Sequence, residues 1–150
     1  MNRTAIPFLV IGGISIIAGG IVSAVAAASP SYTSSWAVAY IVLVAGVAQL
    51  VLGIGQAELA STQPSARVIV GEAVALNLAN IAVLVGTLAV MPVLSYVGAG
   101  LLVIALVTFV WAVRGNHSRN RWLLYAFRTI VVILAVTAPI GLVIARSRMG

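Results

Sequence analysis

Glu72 is the strongest candidate for a functional residue, because of its chemical type and its position in the sequence. It lies inside a long apolar stretch, where an ionisable side chain is energetically unfavourable and becomes a candidate functional group. Arg67 precedes it by five residues, about 7.5 Å along a helix axis, so an interfacial ion pair with Arg67 or Arg128 is one expectation. The other is a carboxylate that binds a proton or a cation.

Amide and hydroxyl side chains recur at helical spacing around Glu72. Gln49 and Gln56 share one helix face, and Asn80 and Thr87 share a second face with Glu72, with Asn77 to one side. Such faces predict either interhelical hydrogen bonds that hold a bundle together or a polar site in its interior. The candidate polar face comprises Gln49, Gln56, Glu72, Asn77, Asn80 and Thr87.

The remaining residue types argue against most kinds of active site. The chain has no cysteine and no lysine, and it has a single histidine, His117. Thiol and Schiff-base chemistry and bis-histidine haem ligation are therefore excluded. Two glutamates without aspartate are too few for a di-metal carboxylate site. A histidine-assisted serine triad would need a nearby acid and base, and these are absent. We expect no catalytic residues, no metal and no cofactor, and a protein that is not an enzyme.

Long apolar segments must position the polar side chains. Hydrophobic residues make up 63% of the chain and charged residues 7%, against roughly 45–50% and 25% in soluble domains. A span of about 20 apolar residues crosses the hydrocarbon layer of a membrane. The sequence predicts an all-α, polytopic transmembrane helix bundle in one domain, 1–150, with four spans as the alternative to five. The five predicted spans run over about 6–28, 36–57, 68–91, 93–113 and 122–145.

Short polar links separate the predicted spans. They cover residues 29–35, 61–65 and 115–121, and Pro92 marks a tight hairpin because proline lacks the N–H that continues a helix. Links this short make sequential helices antiparallel. The first span also fits a signal peptide, but its apolar stretch of about 20 residues exceeds the 7–15 typical of one. We therefore expect it to be an uncleaved span.

The charge distribution predicts how the chain is threaded. All eight basic residues are arginines and most lie near span ends. Because short cytoplasmic loops are rich in basic residues, we expect the N-terminus in the cytoplasm and the C-terminus outside, although Arg146 and Arg148 weaken this. Arginine without lysine, amid abundant alanine, valine and glycine, is typical of GC-rich bacteria and indicates an inner membrane. Nucleic acid is not an expected partner. The candidate contacts with anionic lipid headgroups are Arg114, Arg119, Arg121 and Arg128.

Aromatic and small residues add two further expectations. Aromatic side chains near span ends predict a belt at the membrane interface, and small residues at intervals of four in the first span predict a close packing face. The predicted belt consists of Trp36, Tyr40, Trp111, Trp122 and Tyr125. The predicted packing face contains Ser15, Gly19, Ser23 and Ala27, with Gly12, Gly13 and Gly20 beside them.

Two functional hypotheses follow from the sequence. The favoured one is a non-catalytic accessory or structural subunit of a membrane protein complex, which assembles with other membrane subunits or with itself. The alternative is a small proton-coupled transporter or channel, in which Glu72 is the coupling carboxylate and the polar faces of spans two and three line the route. A water-filled cavity that reaches Glu72 favours transport, and a dry packed interior favours the subunit.

Overall fold

Five long apolar helices make up most of the described part of the chain, as the sequence predicts. The computed structural model describes residues 4–60, 63–113 and 121–149, and every regular element in these ranges is helical. Five helices are long and apolar enough to cross a membrane, the second being a continuous rod over Tyr32–Leu59. The elements are α1 (Ile6–Ala26), α2 (Tyr32–Ala39), a π-helical segment (Tyr40–Ala48), α3 (Gln49–Leu59), α4 (Ala66–Leu88), α5 (Pro92–Ala112) and α6 (Arg121–Met149).

The second span begins four residues earlier than the predicted Trp36. Ser31 accepts a hydrogen bond from the Ser34 N–H at 3.0 Å, and the Ser34 hydroxyl accepts one from the Ser31 N–H at 3.0 Å. This reciprocal capping box satisfies two backbone donors that a helix start otherwise leaves unpaired. The second half of the predicted link 29–35 is therefore helical.

The hairpin predicted at Pro92 is confirmed, with shifted helix ends. Helix α4 ends at Leu88, where 68–91 was predicted, and the turn follows with Val90 at a φ of 55°. Pro92 then occupies the first turn of α5, where its missing N–H has no intrahelical partner to lose. The turn thus lies just before the proline.

Helix α1 runs antiparallel to the rod formed by α2, the π-helical segment and α3. A Cβ added at Gly53 would clash with Phe8, one at Gly12 would lie 2.9 Å from Leu50, and one at Gly19 would clash with Val42. Residue numbers therefore increase along α1 in the direction in which they decrease along the rod. Of the predicted small-residue face, Gly19 packs inside the bundle together with the neighbouring Gly12, whereas Ser23 and Ala27 are exposed.

Helices α4 and α5 form the most extensive helix pair. A Cβ at Gly86 would lie 2.5 Å from the backbone nitrogen of Ser95, and one at Gly98 would lie 2.6 Å from that of Val83. The two backbones therefore touch near the turn, and only glycine permits this approach.

Apolar side chains fill the interior and also cover the exterior. The Phe8 and Phe109 rings meet edge to face, with centroids 5.4 Å apart, inside a core that α3, α4, α5 and α6 share. Large side chains on the outer faces, such as Ile17, Leu78 and Ile104, are each more than half exposed. A water-soluble bundle would carry polar residues at such positions.

The last helix is longer than the predicted span 122–145. Helix α6 covers Arg121–Met149 and continues through Pro139. Its portion over Arg121–Gly141 has the length and hydropathy of a membrane span. Apart from Arg121, which begins α6, the predicted link 115–121 lies outside the described residues.

Candidate polar site in the bundle interior

Glu72 is hydrogen-bonded to an amide from the neighbouring helix. The Gln56 Nε2 atom on α3 donates to Oε2 of Glu72 on α4 at 2.7 Å. Gln56 is fully buried and Glu72 is half-buried. The partner of the carboxylate is thus an amide, in place of the predicted Arg67 or Arg128, because antiparallel packing brings the end of α3 against the start of α4.

A second polar pair lies toward the opposite end of the bundle. The Tyr40 hydroxyl donates to Oδ1 of Asn80 at 3.0 Å, and both side chains are buried. The prediction that Tyr40 belongs to an interfacial aromatic belt is therefore wrong. Its ring stacks on Trp36 at 5.3 Å, and its hydroxyl faces the interior.

The π-helical segment explains how Tyr40 and Gln49 can both face the interior. Tyr40 and Gln49 are nine residues apart, which is about two and a half turns of an α-helix and would put them on opposite faces. A π-helix closes its hydrogen bonds from i to i+5, so its turn is wider and nine residues cover fewer turns. Tyr40 begins the segment, Gln49 follows its last residue, and both are buried.

Gln49 lies between the two pairs without a partner. It is fully buried, and neither its Nε2 nor its Oε1 has a hydrogen-bond partner. An orphaned amide of this kind is rare in native interiors.

The remaining predicted polar residues differ in their surroundings. Thr87 is buried, donates to the Val83 carbonyl at 2.7 Å and lies 3.4 Å from the hydroxyl of Ser95. Ser95 is itself buried and is not among the predicted polar residues. Asn77 is half-buried and donates to Ala73 of its own helix at 2.7 Å. It therefore forms no interhelical hydrogen bond.

The buried polar groups form a row along α4 and the second-span rod. Starting at the end near the link between α3 and α4, the row contains the Gln56–Glu72 pair, then Gln49, then the Tyr40–Asn80 pair. On α4 the row extends from Glu72 to Asn80, roughly 12 Å at 1.5 Å per residue, less than half of a hydrocarbon layer of about 30 Å. Buried apolar side chains such as Leu52 separate the polar groups, so the polar groups do not form a continuous hydrogen-bonded chain.

A groove reaches Glu72 from the outer surface of the bundle. It has a volume of about 380 Å³ and lies between α4 and α5, lined by four residues from Gly71 to Leu78 and four from Leu101 to Thr108. The Thr108 hydroxyl bonds to the Ala105 carbonyl at 2.6 Å, which leaves Glu72 as the charged group of the lining. The groove is an apolar recess on the exterior and not an aqueous channel through the interior.

The charged residues near the span ends have contrasting surroundings. Glu58 and Arg121 are exposed, whereas Arg128 is half-buried and its Nε atom has no partner. Arg114 and Arg119 lie outside the described residues. Within the described part of the chain, no three His, Cys, Asp or Glu side chains come together as metal ligands.

Comparison of the chain with protein-family models, with curated proteins and with solved structures finds no significant match. A function can therefore be argued only from the bundle and its polar interior.

Proposed function

We propose that this chain is a multi-pass protein of a bacterial inner membrane, with a cytoplasmic N-terminus and an external C-terminus. Five apolar helices of membrane-spanning length and an exterior as apolar as the core support membrane insertion. The orientation is supported by Arg3, by Arg67 just after the link 61–65, and by Arg114, Arg119 and Arg121 at the link 115–121.

Single-cysteine labelling tests the membrane placement and the orientation, because the chain has no native cysteine. Ser29→Cys and Met91→Cys should react with a membrane-impermeant maleimide in intact cells. Asn116→Cys should react only after permeabilisation. Labelling of Asn116→Cys in intact cells would contradict the orientation, and recovery of the protein in the soluble fraction would contradict insertion.

Within the membrane, we propose that the chain is a small transporter that moves a cation or protons, with Glu72 as the binding carboxylate. The observation that carries this proposal is the polar row: Glu72 is bonded to a fully buried Gln56, and a fully buried Gln49 has no partner. Amides that only hold helices together make interhelical hydrogen bonds. Buried amides with unfilled hydrogen-bonding capacity favour a site that exchanges partners.

Flux in proteoliposomes tests the transport proposal. The purified protein should collapse an imposed gradient of protons or of a cation, and Glu72→Gln should lower the rate about tenfold or more, because the amide keeps the shape and removes the charge. Glu58→Gln is the matched control, since Glu58 is an exposed carboxylate on the neighbouring helix. Equal rates for the Glu72→Gln protein and the unaltered protein, or no flux in any gradient, would contradict the proposal.

A second candidate is a non-catalytic accessory or structural subunit of a membrane complex, the hypothesis that the sequence favours and that the apolar packing between the buried polar groups also supports. The observation that favours it is the outer face of α1, a helix whose buried residues are Phe8, Gly12 and Gly19. Gly13 and Gly20 have open space where a side chain would stand, so a partner helix can approach closely there.

The mass of the protein extracted from native membranes tests this second candidate. A subunit should be recovered with associated proteins or as a defined oligomer, and Gly13→Leu together with Gly20→Leu should release it by blocking the outer face of α1. Gly100→Leu, on the exposed side of α5, is the control because its position is equally open. A lone monomer that transports cations would leave the transporter as the better account.

A further inference from the structure

We infer that the groove between α4 and α5 binds a lipophilic ammonium, an organic cation with an apolar body, and that the Glu72 carboxylate receives its charged nitrogen. This inference rests on the proposed function, because it names the class of cation that reaches Glu72. The groove volume of about 380 Å³ lies in the range of small-molecule sites, roughly 300–1,000 Å³.

The lining of the groove selects for an apolar body. Leu78, Leu101 and Ile104 supply large exposed apolar surface. A metal cation such as calcium or magnesium needs about six oxygen ligands to replace its water, whereas the charged group in this lining is the single carboxylate of Glu72. An organic cation instead buries its body against the apolar walls and requires only one site for its charge.

The polar end of the groove offers acceptors for N–H donors. An ionised carboxylate has about four acceptor positions, and Gln56 Nε2 occupies one of them on Oε2 of Glu72. Gln56 does not line the groove and its Oε1 atom is buried, so the acceptor that the groove offers is the Glu72 carboxylate itself. A protonated amine carries N–H groups that the remaining acceptor positions of this carboxylate can bind.

The entrance beside Glu72 is open because residue 71 is glycine. A Cβ added at Gly71 would meet nothing within 4 Å, and Gly71 lines the groove. Gly71→Leu therefore adds a side chain at the groove with no clash at its Cβ. Gly141 on α6 is equally open and does not line the groove, so Gly141→Leu is a matched control.

Binding of two fluorescent probes to the protein in lipid nanodiscs tests the inference. One probe is 1-pyrenemethylammonium, and the other is neutral 1-pyrenemethanol, which has the same apolar body; empty nanodiscs correct for partition into lipid. The ammonium should bind saturably, and Glu72→Gln and Gly71→Leu should each weaken it about tenfold or more. Gly141→Leu and Glu58→Gln should leave its affinity unchanged.

Each alternative result overturns the inference. Equal affinity for the neutral probe would show that the Glu72 charge does not select the ligand, and unchanged binding to the Gly71→Leu protein would move the site away from the groove. No saturable binding of the ammonium to the unaltered protein would exclude the class. Helix content and elution volume of each variant identify any loss caused by misfolding.

The failure of this inference differs from the failure of the transport proposal. If Glu72→Gln abolishes proton or inorganic cation flux while Gly71→Leu leaves it intact, transport stands and the lipophilic ligand is wrong. If the ammonium binds through Glu72 but no flux occurs, the site stands and transport is wrong.

Discussion

Gln56 Nε2 and Glu72 Oε2 are 2.7 Å apart, so an amide on α3 and a carboxylate on α4 are hydrogen-bonded across the helix interface. The pair also lies at one end of the row of buried polar groups and at the edge of the outer groove. One hydrogen bond therefore links the packing of the bundle to the site at which a cation is proposed to bind.

Breaking this bond from the amide side should destabilise the bundle. Gln56→Leu leaves the half-buried Glu72 without its partner, and we expect a loss of about 1–3 kcal/mol in unfolding free energy. Glu72→Gln keeps an amide acceptor for Gln56 and should lose less. Reversible unfolding in mixed micelles measures both, and a larger loss for Glu72→Gln would contradict the assignment.

Replacing Gln49 should stabilise the protein and impair transport. Gln49 is fully buried with neither amide atom paired, and an unpaired buried polar group costs about 1–3 kcal/mol. Gln49→Leu removes this penalty at similar volume, so the melting temperature should rise while flux falls. A lower melting temperature would mean that Gln49 has a hydrogen-bond partner in the membrane.

Removing the Tyr40 hydroxyl should uncouple Tyr40 from Asn80. Tyr40→Phe leaves Asn80 without its interhelical bond, and a double-mutant cycle with Asn80→Leu should give a coupling energy of about 0.6–1.7 kcal/mol. Tyr125→Phe is the control because Tyr125 is exposed; its effect should stay within about 0.5 kcal/mol. A coupling energy near zero would remove the pair from the polar row.

Adding a methyl group at two glycines should have opposite effects. Gly86→Ala places a Cβ 2.5 Å from the Ser95 backbone nitrogen and should destabilise the α4–α5 hairpin by about 1–3 kcal/mol. Gly100→Ala meets open space and should stabilise α5 by up to about 1 kcal/mol through helix propensity. Thermal unfolding of both variants checks the prediction, and equal changes would contradict the close approach.

Several features of the fold could be predicted from the sequence because they depend on local composition. Long apolar stretches predict five helices whatever their neighbours are, and the proline after Met91 predicts the hairpin because a missing N–H is a property of one residue. The burial of Gln49 and Gln56 on one face also follows from spacing alone.

Other features could not be predicted because they depend on contacts between helices. The partner of Glu72 is set by the register of α4 against α3, which no local pattern encodes. Tyr40 and Gln49 share the interior because a π-helical segment between them changes the helix phase.

The sequence alone therefore determined that the chain is a set of apolar helices with one carboxylate, Glu72, as a candidate functional group inside them. Length, hydropathy and residue type are local properties that can be read directly along the chain. Only the tertiary structure decided that Glu72 pairs with Gln56, that Gln49 has no partner and that a groove opens beside Gly71. These three features depend on the distance and the register between neighbouring helices, and the packing of the whole bundle fixes both quantities.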